Sequence, residues 1–204
     1  MSIIFDFDGT IADSFAITVQ VFYKLTGHSH RLSDKELVRL RGLSMLQAVE
    51  ELRIRPWKIP FLMMRGRLTL ARRMRHVEVQ PGVAGVIREL HQAGHQLFIV
   101  SSNSQRNIQL FLHKHHMANE FTAVYGSVGL FNKANALKKV LKRNNLDPAK
   151  TFYVSDEVRD VTAAQEAGMP VVAVGWGFNT PEILARHNPA HLVENADQLL
   201  SLLQ

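Results

Sequence analysis

Short apolar runs rich in β-branched and aromatic residues recur along the chain: IIFDF at 3–7, QLFIVSS at 96–102, FTAVYGS at 121–127, TFYVSD at 151–156 and PVVAVGW at 170–176. Between them the apolar positions take helical spacing. Val83, Val86, Ile87 and Leu90 share one helical face, with Gly94 placed to cap it. Leu137, Val140 and Leu141 do the same, with Asn132 at the N-cap position. Strands apolar at nearly every position, alternating with amphipathic helices, predict a parallel sheet covered on both faces. The fold class expected is α/β, a doubly wound (Rossmann-like) core.

Residues 14–80 break this pattern, with helical periodicity and no clear strand. Ser33-x-x-Glu36 and Ser44-x-x-Gln47 read as capping boxes that start helices. Pro56 and Pro60 punctuate the middle, and Pro81-Gly82 marks the exit. A helical domain of 14–80 is therefore expected inside an α/β core of 1–13 and 81–204. Charge follows the same division. Residues 14–80 carry 13 Lys/Arg against 5 Asp/Glu, and the remainder 11 against 13. Eight of those cations fall within 53–76, which holds no acidic residue. A charge run of this kind is either a solvated face or a surface that attracts anions. Without interleaved aromatics or a recognisable binding module, nucleic acid is disfavoured as a partner.

Composition narrows the chemistry. The chain has 204 residues and no cysteine, which excludes disulfides, thiolate metal sites and cysteine nucleophiles. No apolar run reaches the roughly 18 residues of a membrane-spanning helix. The chain enters its first strand almost at once, which predicts no leader and a cytoplasmic protein. The HKHH run at 113–116 reads as a solvated helix face, and Trp57, Trp176 and the Met63-Met64 pair as packing residues.

The polar residues at the strand ends are the informative ones. In an open parallel sheet, ligands bind beyond the carboxyl ends of the strands, near the point where strand order reverses. The first strand delivers Asp6 and Asp8, the second Ser101, Ser102 and Asn103, and the fourth Asp156, with Asp160 following. Lys133 opens the helix before the fourth strand. Taken singly, each has a plainer explanation: a turn serine, a solvated first-turn lysine, carboxylates favoured by a helix dipole. Taken together, they suit phosphoryl transfer. Asp6 and Asp156 can hold a hard cation such as magnesium. One aspartate can attack phosphorus. Lys133, the Ser101 hydroxyl and the amides around Ser102 and Asn103 can surround the transferring oxygens. Asp8 is the candidate to protonate the leaving alcohol, since burial and nearby negative charge raise a carboxyl pKa.

DFDGT, FIVSS, Lys133 and SDEVRD, in that order, resemble the four motifs of the haloacid dehalogenase-like hydrolase superfamily. The resemblance covers essentially the whole chain. The helical segment after the first motif resembles that superfamily's C1 cap, and VAVGWGFNTPEIL resembles its phosphoglycolate-phosphatase-like branch. The resemblance implies that Asp6 is nucleophile and Mg2+ ligand, and that Asp8 is general acid/base with its carbonyl on the metal. It also implies that Ser101 and Lys133 hold phosphate, that Asp156 ligates the metal, and that Asp160 supports the metal or orients Lys133. Two positions depart from the usual pattern: Ser155 stands where glycine is customary, and Ala134 where proline often follows the lysine. The dehalogenases of the superfamily lack the second aspartate, so Asp8 argues against dehalogenation.

The reading that results is a magnesium-dependent phosphatase, monomer or homodimer, acting on a small phosphorylated metabolite. Arg41 in LRGLS at 40–44 is the candidate cap residue for a substrate carboxylate or second phosphate. Two rivals stand beside it: a β-phosphoglucomutase-type phosphomutase, and a non-catalytic protein that binds a phospho-ligand. Leu46 and Ala48 around Gln47 weaken the mutase, whose cap loop typically carries further polar residues.

Overall fold

The computed structural model describes residues 1–28, 32–43, 45–51, 54–129 and 132–204. Six strands form one sheet: β1 (Ser2–Phe5), β2 (Gln96–Val100), β3 (Ala123–Tyr125), β4 (Thr151–Ser155), β5 (Val171–Val174) and β6 (His191–Val193). Their order is β3-β2-β1-β4-β5-β6, and every neighbouring pair is parallel. The chain builds outward from β1 in one direction and then, from β4, in the other. The reversal therefore lies between β1 and β4, and the crevice beyond their carboxyl ends is where a ligand fits.

Alternate residues of each strand feed two cores. Ile3, Phe5, Leu97, Ile99, Val154 and Val172 pack against α5 (Val83–Gln92), α6 (Gln105–Lys114) and α10 (Ala196–Leu203). Ile4, Phe98, Val100, Tyr153 and Val171 pack against α7 (Lys133–Arg143), α8 (Val158–Glu166) and α9 (Pro181–Ala185). Both faces are covered, which explains why the strands read as continuous apolar runs. Each fully buried Ile, Leu or Phe contributes roughly 1.5–3 kcal/mol.

Among the described residues, four further helices, α1 (Phe15–Leu25), α2 (Asp34–Arg41), α3 (Met45–Glu51) and α4 (Ile59–Arg73), lie between β1 and α5. The chain leaves and rejoins the sheet through a short antiparallel neck. There Asp13 N donates to Glu78 O at 2.9 Å and Gln80 N to Ile11 O at 2.8 Å. The predicted Ser33/Glu36 capping box is present at the start of α2. Ser44, of the second predicted box, lies outside the described residues.

Several details differ from the sequence expectation. Trp57 and Met64 are 69% and 55% exposed rather than packed. For Met64 the reason is the rotation of α4: Leu62 is buried, and a Cβ on Gly66 would lie 2.7 Å from the Phe22 ring of α1. That face belongs to α1, so positions 61 and 64 turn outward. Arg55 and Arg65 stack on the rings of Trp57 and Phe61, an interleaving of cations and aromatics that the sequence reading missed. Met63's side chain is outside the described set; Trp176 does pack against the core, as expected. The strand expected at 121–127 is confined to Ala123–Tyr125, and β6, three residues long, had no predicted counterpart. Asn132 does precede α7, but its carboxamide accepts from Asn135 Nδ2 at 2.8 Å and caps no amide. Of the HKHH run, His113 and His116 are exposed, but His115 caps the end of α6 with its side chain only 13% exposed and its ring against Phe111, so the run is not one solvated helix face.

Candidate active site

Asp6 extends the β1–β4 ladder by one residue, its amide donating to Val154 O at 2.9 Å. Its carboxylate is only 2% exposed. A buried carboxylate needs a partner, and Lys133 supplies one: its ammonium lies 2.9 Å from Asp6 Oδ1 and 2.5 Å from Asp160 Oδ2. Lys133 is 4% exposed, so it is no solvated first-turn lysine. Asp160 Oδ2 also accepts from Tyr153 Oη and Ser155 Oγ, each at 3.0 Å. Ser155, the departure from glycine, thus helps to hold the carboxylate that holds Lys133. Asp160 Oδ1 is buried without a hydrogen bond among the described residues, with Arg159 Nε 3.8 Å away.

Asp8 lies in the tight loop after β1. It accepts from Ser14 Oγ at 2.9 Å and from Asn103 Nδ2 at 2.9 and 3.2 Å. The orientation of Asn103 is fixed by its other end, where Oδ1 accepts from Ser104 N at 2.8 Å and Asn107 Nδ2 at 3.1 Å. The Asn103 main-chain amide donates to Ser101 Oγ at 3.1 Å. Accepting it leaves the Ser101 hydroxyl its own proton to give. Ser102 sits between them, half-buried.

Asp156 is fully buried at the end of β4. Thr10 Oγ1 donates to its Oδ1 at 2.5 Å and Phe178 N to its Oδ2 at 2.6 Å. Gly9 and Gly177 close around it: a Cβ on either would land 2.2 or 2.1 Å from Oδ2. Among the described residues, no three His, Asp or Glu side chains gather closely enough to hold a metal by themselves. The donors on offer are oxygens, the buried carboxylates of Asp6 and Asp156, close enough that Asp156 adds to the upward push on Asp6. That set fits a hard cation that keeps part of its water shell, which is magnesium's habit.

The electrostatics agree with that fit. Burial pushes the Asp6 carboxyl well up, with Lys133 pulling against it and Asp160 and Asp156 adding to it. Burial, then Glu157, raises Asp156 to about 7. A bound cation would offset both. Burial also raises Asp8, against the opposing hydrogen bonds from Ser14 and Asn103. For Lys133, burial favours the neutral amine, but Asp160 and Asp6 together outweigh it and keep it an ammonium. Asp160 goes the other way: burial is overcome by Lys133 and Arg159, and its carboxyl is held below the ordinary range.

Arg41, at the end of α2, places its guanidinium 4.6 Å from the centre of the Phe15 ring. Phe15 in turn meets Phe178 edge-on at 5.1 Å. The structure thus brings Asp6, Asp8, Ser101, Asn103, Lys133, Asp156 and Asp160 together, and sets Arg41 beside the loop that serves Asp156. Sequence reasoning missed Thr10, Ser14, Asn107, Tyr153, Phe178 and Asn179. Thr10 and Ser14 were within reach, as polar residues of the opening motif. Asn107 and Tyr153 lie only four and seven residues from the side chains they bond, but nothing in their local pattern marks them; Phe178 and Asn179 act through contacts distant in sequence.

Residues 3–174 match the haloacid dehalogenase-like hydrolase family. A phosphoglycolate phosphatase of Synechococcus elongatus is 32% identical over 206 residues, covering 98% of this chain and 95% of that protein. Among solved structures, a predicted phosphatase from Clostridium acetobutylicum aligns with a TM-score of 0.82 at 23% identity, covering 99% of this chain and 97% of the other. A haloacid dehalogenase-like family hydrolase from Streptococcus pneumoniae gives 0.80 at 20%, covering 100% and 98%. These two structures share the fold. With four motifs meeting at one crevice and a family match spanning most of its length, the chain belongs to the haloacid dehalogenase-like hydrolases, in their phosphoglycolate-phosphatase-like branch.

Proposed function

We propose that this phosphatase hydrolyses small phosphate monoesters, phosphoglycolate or an ester of similar size, through an aspartyl-phosphate on Asp6. The observation that carries the reading is the trio of Asp6, with Lys133 at 2.9 Å, and Asp8, held apart from that ion pair by Ser14 and Asn103. The two aspartates have different partners and therefore different tasks.

In the first half-reaction an Asp6 carboxylate oxygen bonds to phosphorus as the ester P–O bond breaks, and the departing alkoxide takes the proton of Asp8. In the second, the Asp8 carboxylate takes a proton from water. The water oxygen bonds to phosphorus, the Asp6–phosphorus bond breaks, and inorganic phosphate leaves with both side chains restored. Lys133 and the Ser101 hydroxyl balance charge on the phosphoryl oxygens. A magnesium ion held by Asp6, Asp156 and the Asp8 carbonyl would add positive charge opposite those oxygens. Asp160 orients Lys133 in this scheme, its Oδ2 accepting from Lys133, Tyr153 and Ser155 at once. The helical segment 14–80 acts as the cap over a core of 1–13 and 81–204, swinging on the neck to exclude water and to bring Arg41 toward the substrate carboxylate. Among the described residues no helix is long and apolar enough to cross a membrane, and a small phosphorylated metabolite in the cytoplasm is the substrate this reading favours.

The test is magnesium-dependent phosphate release from a panel of small esters. Wild type should release phosphate; Asp6→Asn should not; Asp8→Asn should fall at least 100-fold, the scale of lost general acid–base catalysis. Isomerised ester without net phosphate release would instead establish the mutase. Magnesium binding with no turnover of any ester would leave a phospho-ligand binding protein.

A further inference from the structure

We propose that Asn179 is a positioning residue that latches the helical insertion onto the strand end carrying Asp156, so that seating the insertion and placing the Asp156 carboxylate are one event. The inference rests on the phosphatase reading for its kinetic part only.

Asn179 is buried in the loop after β5 and makes three hydrogen bonds, two to the turn at 156–158 and one to the helical insertion. Its amide donates to Asp156 O at 3.1 Å. Its Oδ1 accepts from Val158 N, at the start of α8, at 3.0 Å. Its Nδ2 donates to Leu43 O, just past α2, at 3.2 Å. The carboxamide can sit only one way round: Val158 offers an N–H and Leu43 a carbonyl, so the oxygen must face one and the nitrogen the other. The preceding residue repeats the arrangement by other means. Phe178 gives its amide to Asp156 Oδ2 at 2.6 Å and its ring to Phe15 of α1, over which Arg41 lies. Two consecutive residues each hold Asp156 with one group and the insertion with another. Withdrawal of the insertion breaks the Leu43 bond and the Phe15 contact together, and both breaks fall on the loop that holds Asp156.

A plain loop brace would need only the Val158 and Asp156 contacts, and two variants separate brace from latch. Asn179→Ala removes both side-chain bonds. Asn179→Asp keeps an acceptor for Val158 N but sets a carboxylate oxygen against the Leu43 carbonyl, so it keeps the brace and loses the latch. The absence of native cysteine allows spin labels at Val38→Cys on the insertion and Leu110→Cys on the core, both exposed positions. The label-to-label distance distribution is measured with kcat and KM for the best ester. A latch predicts that both Asn179 variants lengthen and broaden the distribution. It also predicts that both lower kcat/KM about tenfold, the scale of one hydrogen bond made in the closed state, with KM rising as kcat falls. An Asn179→Asp protein with wild-type distances overturns the latch. Altered distances with unchanged kcat and KM overturn the coupling to Asp156. If wild type hydrolyses no ester, the phosphatase reading fails on its own, and the distances alone decide the latch.

Discussion

Asn103 shows how a single side chain can carry a role its position does not announce. At the end of β2 it reads as a phosphate-loop residue, yet its carboxamide is tied down by Ser104 and Asn107 and aimed at Asp8. Its hydrogen bonds favour the ionised Asp8 and so oppose the upward push of burial. Asn103→Ala should therefore raise the Asp8 pKa further, moving both limbs of the pH–rate profile toward alkaline pH and lowering kcat about tenfold. An unshifted profile would remove Asn103 from the acid/base apparatus. Asp156 gives a second prediction of known sign. Below its ordinary value of 3.8 the carboxyl is protonated, folded or unfolded; as pH rises toward about 7, the unfolded chain releases the proton and the fold retains it. Stability of the metal-free protein should decline through this window on account of Asp156 and level off above it. Magnesium, which needs the ionised form, should raise the melting temperature more at pH 8 than at pH 5.5. Equal shifts at both values would mean that the cation does not meet Asp156. The site residues legible in the sequence were those carried by short motifs at the strand ends and the helix starts beside them: Asp6, Asp8, Ser101, Lys133, Asp156, Asp160. Those that set their charge states, such as Thr10 on Asp156 from 146 positions away, exist as partners only after folding.

The elements were legible where burial is two-sided. The central strands β1, β2, β4 and β5 are apolar at nearly every position because helices cover both faces; β6 is short, carries His191 exposed, and leaves no such run. The Ser33 box was readable because a capping box is local chemistry, four residues long. The loop from Gly175 to Thr180 is different. It bears no periodicity, yet it wraps Asp156 so closely that Gly177 has no room for a methyl group: a Cβ there would lie 2.1 Å from Oδ2 and 2.3 Å from the carboxyl carbon. Gly177 is not among the glycines with positive φ, so contact, not backbone strain, decides the outcome. Gly177→Ala must push the carboxylate off the Phe178 amide, and we expect kcat to fall at least 100-fold with a stability loss of about 1–3 kcal/mol from overpacking. Gly85→Ala, where a Cβ meets nothing within 4 Å, is the control and should stay fully active. A wild-type kcat in Gly177→Ala would show that Asp156 has slack that the packing denies.

At the scale of the whole molecule, charge is segregated. The surplus cations sit in 14–80, a net of +8 against −2 elsewhere, while the crevice below is lined by carboxylates. A phosphate dianion approaching those carboxylates is repelled unless something farther out draws it in, and a basic insertion beside the crevice can do so. Lys58 and Arg65 have no acidic partner among the described ion pairs, so their field acts outward. Salt then gives the decisive measurement, because the screening length shrinks from about 30 Å at 0.01 M to about 10 Å at 0.1 M. If the insertion steers substrate, kcat/KM should fall several-fold across that range with kcat little changed, and the fall should be shallower in a Lys58→Gln/Arg65→Gln double variant of unaltered melting temperature. The effect should also be weaker for a monoanionic methylphosphonate ester than for a phosphate dianion, since the energy scales with substrate charge. A flat salt response for both would reduce the basic segment to a solvated face, and would leave Arg41, stacked on Phe15, as the candidate cation for the substrate among the described residues of the insertion.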